Sequence, residues 1–175
     1  MNLKSKIREI PDWPKAGINF KDITTLLEDK EAFREAVDQL AAPYAGMKID
    51  KVVGIDARGF LLAAPVAYKL GLGLAVVRKK GKLPFRTIEQ EYVLEYASNT
   101  VAMHDDSIAP GETVILIDDL CATGGTALAA CDLILKQGGK IAGVSFLIDL
   151  PFLEGSKKLE EKGYIVKSLI EYDKE

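Results

Sequence analysis

Histidine and cysteine are scarce: the 175 residues include one His and two Cys. That is too few ligands for a zinc site of the usual spacing, and too few cysteines for a disulfide framework. Cys121 and Cys131 are expected as reduced thiols in a cytoplasmic protein. Long apolar runs are missing too. Nothing approaches the roughly 20 residues that a membrane span needs, and the start, MNLKSKIREIPDW, has no apolar signal core. Neither sign of charge dominates. A net charge of −3 gives no electrostatic case for nucleic-acid binding. Two nucleotide motifs are also absent: GxxxxGK(S/T) does not occur, and GLGLAV lacks the third glycine of a dinucleotide fingerprint.

What is present is alternation of strands and helices. Residues 2–10 read as a short helix stopping before Pro11, and PDWPKAGINFKDI as a loop punctuated by Pro and Gly. Residues 31–45 repeat apolar positions at helical spacing. KVVGI (51–55), GLAVVR (73–78), TVILI (113–117), KIAGVSFLI (140–148) and YIVKSLI (164–170) read as strands. Helices are expected over 58–70, 123–137 and 152–162. The charged stretch 79–90 reads as a loop. EYVLEYA and NTVAMH read as a hairpin turning at Ser98-Asn99. This order implies an α/β fold, a mostly parallel central sheet flanked by helices, with residues 1–175 in one domain.

Ligands of such sheets lie beyond the carboxyl ends of the strands. Three loops qualify: Asp56-Ala57-Arg58-Gly59, Lys79–Lys82 and Asp118–Thr126. The last lies in VILIDDLCATGGTALAA, where four apolar residues run into two adjacent carboxylates. Small residues at 122–126 let backbone N–H groups approach a ligand, and the following helix adds its unpaired N–H groups and partial positive charge. Thr123 and Thr126 add hydroxyls. The result is a phosphate cradle. Asp118 and Asp119 would repel a phosphate and need neutral hydroxyls or a cation instead. A phosphorylated sugar supplies both. On this reading Gly124→Val costs substrate binding more than fold stability. His104, the only histidine, reads as structural.

VILIDDLCATGGTA closely resembles the phosphoribosyl-pyrophosphate signature of the type I phosphoribosyltransferases. IPDWPKAGINFKDIT, VVGIDARGFLLAAPVAYKLG, VRKKGKLP, EYVLEYASNTVAMH and LIEYD extend the resemblance along nearly the whole chain, to the adenine-using branch of the family. The resemblance implies a flexible hairpin lid, a small N-terminal hood and a homodimer. It also implies transfer of phosphoribosyl from 5-phosphoribosyl 1-pyrophosphate to adenine, giving AMP and pyrophosphate. Mg²⁺ would be held mainly by the substrate's pyrophosphate.

Roles follow by position. Ala122, Thr123, Gly124, Gly125 and Thr126 match the 5′-phosphate loop, and Asp118 and Asp119 the acidic pair at the ribose hydroxyls. Arg58 matches a pyrophosphate-binding arginine. Arg78, Lys79 and Lys82 match basic residues that reach a pyrophosphate site, partly across the dimer interface. Glu95 and Tyr96 match the hairpin that closes over the site, with Glu95 a candidate for handling the adenine proton. Phe20 matches the aromatic that stacks on adenine, Leu120 covers the other face, and the backbone of Asn19 and Lys21 reads the base edge. The family more often has Pro, a branched apolar residue and Arg where this chain has Ala16, Asn19 and Lys21. Hypoxanthine or guanine as the base stays an alternative. A non-catalytic regulator is disfavoured, because the catalytic fold leaves no room for a DNA-binding domain.

Overall fold

The structure, a computed structural model, describes residues 1–93 and 97–174. A 3₁₀ turn at Leu3–Lys6 leads into β1 (Arg8–Ile10), which pairs antiparallel with β2 (Phe20–Asp22). The expected helix over 2–10 is therefore only one turn. REI and FKD are three residues each, too short to show a period, and each is a strand only because the other pairs with it.

After α1 (Thr24–Glu28) comes α2 (Lys30–Ala41). Asp29 caps α2 by accepting from the N–H groups of Glu31 and Ala32, and Ala32, Ala36, Val37, Leu40 and Ala41 form its buried stripe. Then follow β3 (Lys51–Ile55), α3 (Arg58–Leu70), β4 (Gly73–Lys79), β5 (Thr87–Val93), β6 (Ser98–His104) and β7 (Thr113–Cys121). The chain closes with α4 (Gly125–Lys136), β8 (Lys140–Asp149), α5 (Gly155–Glu161) and β9 (Val166–Glu171).

Seven strands make one sheet in the order β5-β6-β4-β3-β7-β8-β9. The five from β4 to β9 are parallel, and β5 and β6 are antiparallel. The apolar run Val114–Ile117 is fully buried at the centre, as a strand covered on both faces requires. Helices α2 and α3 cover one face. The other carries α4 and Leu159 of α5. Both cysteines are free and buried. Among the described residues no helix is long and apolar enough to cross a membrane.

The hairpin departs from the sequence reading. Ser98 pairs with Val93 and Asn99 with Tyr92, so these two residues belong to β6 and not to a turn. Nor is 79–90 all loop, since pairing begins at Thr87 opposite His104. Lys136 Nζ donates to Gln90 Oε1 at 2.6 Å and so ties β5 to α4. Of the segment expected to be a loop, only residues 80–86 lie outside β4 and β5, and Lys80 N–H still donates to Thr100 O at 3.0 Å. In hydrogen–deuterium exchange without ligand, we expect the alternate amides of 87–93 that face β6 to be protected and those in 81–84 to exchange fast. Fast exchange across both would return the whole segment to a lid.

Candidate active site

From β3 the chain moves outward to β4, and from β7 it moves the other way to β8. The crevice beyond the carboxyl ends of β3 and β7 is therefore the switch point, where open sheets of this kind bind ligands. Two groups meet there. Arg58, opening α3, places Nε 2.8 Å from Asp119 Oδ2. That oxygen still accepts no aligned hydrogen bond among the described residues, so the contact is an ion pair without direction. Asp118 is buried, and its Oδ1 accepts from the Asp119 N–H at 2.8 Å. Burial first, and the Asp119 carboxylate second, hold the Asp118 carboxyl well above the usual range. A side chain at Gly59 would run into Asp118.

The two aspartates were expected in a loop after Ile117. They lie instead within β7, which runs on to Cys121 because β8 offers partners as far as Asp149. A backbone locked in the sheet fixes both carboxylates more tightly than a loop would.

Beyond β7, Ala122–Gly124 turn into α4, and no side chain caps the helix. Its first N–H groups thus face a 90 Å³ hollow lined by Asp118, Leu120, Phe146 and residues 121–127. An uncapped terminus of this kind attracts an anion. Gly124 has φ +82°, and a Cβ there would lie 2.9 Å from Gly155 O and 3.0 Å from Gly155 Cα. Gly155 N–H in turn donates to Ala122 O at 3.1 Å. Gly124→Val therefore carries a fold cost beside the expected binding cost: Gly124 serves the turn and a backbone-to-backbone contact as well as any ligand.

A second cavity of 330 Å³ adjoins the hollow. Phe20 and Leu120 line it as expected, with Arg58, Leu150, Phe152 and Leu153. Arg58 turns into this cavity, 5.0 Å from the Phe20 ring centroid, with Nη1 3.5 Å from Lys21 O. Asn19 and Lys21 also line it, but their side chains turn to Glu9: Asn19 Nδ2 and Lys21 Nζ both donate to Glu9 Oε2, at 2.6 and 2.7 Å. Arg78 bonds to Asp56 Oδ2 at 2.9 Å and to Lys82 O at 3.3 Å, joining the first two ligand loops. Lys79 and Lys82 are exposed and make no ion pair among the described residues. Glu95 and Tyr96 lie outside the described residues.

Sequence reasoning missed Leu150, Phe152, Leu153 and Gly155. The signal was available, since they follow the carboxyl end of β8, where the same rule places ligands. Burial first, and Asp149 second, push the Cys121 thiol up to about 12, so it offers no thiolate. No group of three or more His, Cys, Asp or Glu suited to a metal occurs among the described residues.

Residues 24–174 match the model of the phosphoribosyl transferase domain. An adenine phosphoribosyltransferase of Alkaliphilus metalliredigens is 56% identical over 172 residues, covering 98% of this chain and all of that one. The crystal structure of adenine phosphoribosyltransferase from Thermoanaerobacter pseudethanolicus superposes with a TM-score of 0.93 at 47% identity, covering 97% of this chain and 98% of that one. The enzyme from Giardia lamblia, complexed with 9-deazaadenine, gives 0.92 at 35% identity, covering 98% and 96%.

Proposed function

The chain belongs to the adenine phosphoribosyltransferases, within the phosphoribosyl transferase domain family, and from that premise we propose how its residues serve the reaction. The enzyme transfers phosphoribosyl from 5-phosphoribosyl 1-pyrophosphate to adenine, giving AMP and pyrophosphate. One observation carries the reading of the site. An uncapped helix start, two fixed carboxylates and a largely apolar slot meet at the switch point.

The N–H groups of the cradle, with Thr123 and Thr126, hold the 5′-phosphate. Asp118 and Asp119 then reach the ribose hydroxyls. As the bond from C1′ to pyrophosphate breaks, positive charge builds on the sugar, and preorganised carboxylates stabilise it. Adenine N9 forms the new bond to C1′ from the slot between Phe20 and Leu120. Arg58 leaves Asp119 for the departing pyrophosphate, whose oxygens suit a guanidinium fork. Arg78, Lys79 and Lys82 extend that basic site. Glu95 handles the adenine proton, and Tyr96 contributes to substrate binding.

The adjacent carboxylates are hard oxygen donors. With no cage of three ligands among the described residues, they suit Mg²⁺ that keeps most of its waters and phosphate oxygens. When bound, Mg²⁺ neutralises charge on the leaving pyrophosphate.

Two further parts of the reading have support of their own. Leu61 and Tyr68 of α3 are 49% and 90% exposed and two helical turns apart, an apolar stripe suited to a second copy in a homodimer. Two free buried thiols suit the cytoplasm, and a net charge of −3 suits a protein that binds no nucleic acid.

The test offers purified protein 5-phosphoribosyl 1-pyrophosphate, Mg²⁺ and one purine at a time, and measures pyrophosphate release. Release is expected with adenine and not with hypoxanthine or guanine, because groups placed for an exocyclic amine are left unpaired by an oxo base. Comparable release with hypoxanthine would move the protein to a sibling specificity.

A further inference from the structure

Phe20, the aromatic of the base slot, lies on a ribbon of three-residue strands that has little core of its own. Something must hold it at a fixed height above the sheet. On β2 successive side chains point to opposite faces, so Lys21 leaves the slot where Phe20 enters it. Lys21 is 3% exposed, an unusual state for an ammonium group. Three contacts account for it. Glu9 stands directly across the ribbon in register and takes Nζ at 2.7 Å. The same Glu9 oxygen takes Asn19 Nδ2, so one carboxylate grips both neighbours of Phe20. On the other side Nζ lies 4.1 Å from the ring centroid of Tyr172, just past the end of β9. Tyr172 is itself fixed: it is buried, its N–H donates to Asp149 O at 3.1 Å, and Lys4 Nζ lies 4.3 Å from its ring centroid.

We infer that Glu9, Lys21 and Tyr172 form a positioning clamp that ties the base-stacking ribbon to the last strand of the sheet and so sets affinity for the base. The inference rests on the base slot proposed above. The clamp side chains touch neither the cradle nor the carboxylates, and Arg58 meets Lys21 only at its backbone oxygen, which a side-chain change leaves in place, so the clamp acts on adenine and not on 5-phosphoribosyl 1-pyrophosphate. It requires the face of an aromatic ring, not a hydroxyl. The Tyr172 hydroxyl is buried with no hydrogen-bond partner among the described residues. The remaining favourable term is a desolvated cation over a ring.

Steady-state kinetics with each substrate varied separately tests this. Lys21→Met keeps the apolar stem and is expected to raise the KM for adenine about tenfold, with the other KM within about twofold. Glu9→Ala should shift the same KM in the same direction. It is the safeguard if Lys21→Met does not fold, because the Glu9 side chain is 46% exposed. Tyr172→Phe keeps the ring and should match the parent, whereas Tyr172→Leu should behave as Lys21→Met. An unshifted adenine KM in both Lys21→Met and Glu9→Ala, or parallel rises in both KM values, overturns the clamp alone. A parent protein that does not turn over adenine overturns the base-slot reading and the clamp with it.

Discussion

Replacing Asp118 and Asp119 together by asparagine should leave a folded protein that has lost at least about a thousandfold in turnover. The loss follows from removing both negative charges where the sugar becomes positive. Survival of the fold follows from how the pair is held. Asparagine keeps an Oδ1 to accept the Asp119 N–H. The Arg58 contact given up has no aligned hydrogen bond, and Arg58 remains partly exposed to water.

Asp118→Asn alone also carries a pH signature. The folded protein holds the Asp118 carboxyl above its ordinary value of 3.8, through burial and then Asp119. Below 3.8 the group is protonated in both states, and its preference for the neutral form is fully satisfied. As pH rises past 3.8 the unfolded chain releases the proton while the folded chain resists, so the parent loses stability until the folded value is passed. Asparagine does not titrate. The melting advantage of Asp118→Asn should therefore be small in acid and grow as pH rises above 3.8. Melts across that range, alongside turnover, decide it. A constant gap would mean that Asp118 is not strained by burial, and near-normal turnover of the double variant would remove the ribose role.

The interlocked glycines give the second large effect, on stability. Gly124→Ala forces a side chain into positive φ and against Gly155 backbone atoms at 2.9–3.2 Å. Gly155→Ala has no φ penalty, but its Cβ meets Ala122 O, Gly124 N at 2.7 Å and Cys121 Sγ at 2.8 Å. Backbone cannot swing aside as a long side chain does. Each change is expected to cost about 2–4 kcal/mol, a fall in Tm of roughly 4–16 °C for a chain of this size. The double variant should cost less than the sum, because the two residues contact each other. Calorimetry of the three variants measures both. A Tm loss under about 2 °C for Gly155→Ala would show that α5 yields easily and that the cradle is not braced.

The parts of this molecule that local pattern controls were legible in its sequence. KVVGI became a strand with the expected bounds, and residues 58–70 the expected helix, because apolar runs and helical spacing decide both. The turn from β7 into α4 was legible because ATGGT directly follows a buried strand. What partners decide was hidden. Asp118 and Asp119 remain in β7 only because β8 continues beside them. Residues 87–93 alternate, with Ile88, Gln90 and Tyr92 the less exposed set, but the charge of the preceding loop masked that period. Glu9 and Lys21 looked like ordinary surface charges, and only the ribbon register makes them a pair. No pattern within ATGGT points to Gly155, thirty residues on, as the wall behind it.

That distance also bears on biosynthesis. A chain leaving the ribosome folds from its N-terminal side first. It can carry Asp118 and the glycine-rich turn into water well before Gly155 has emerged. The ribbon that bears Phe20 is made earlier still, yet the ring that anchors Lys21 comes 151 positions later. On the proposed clamp, the contact that steadies the ribbon forms only after Tyr172 has been made.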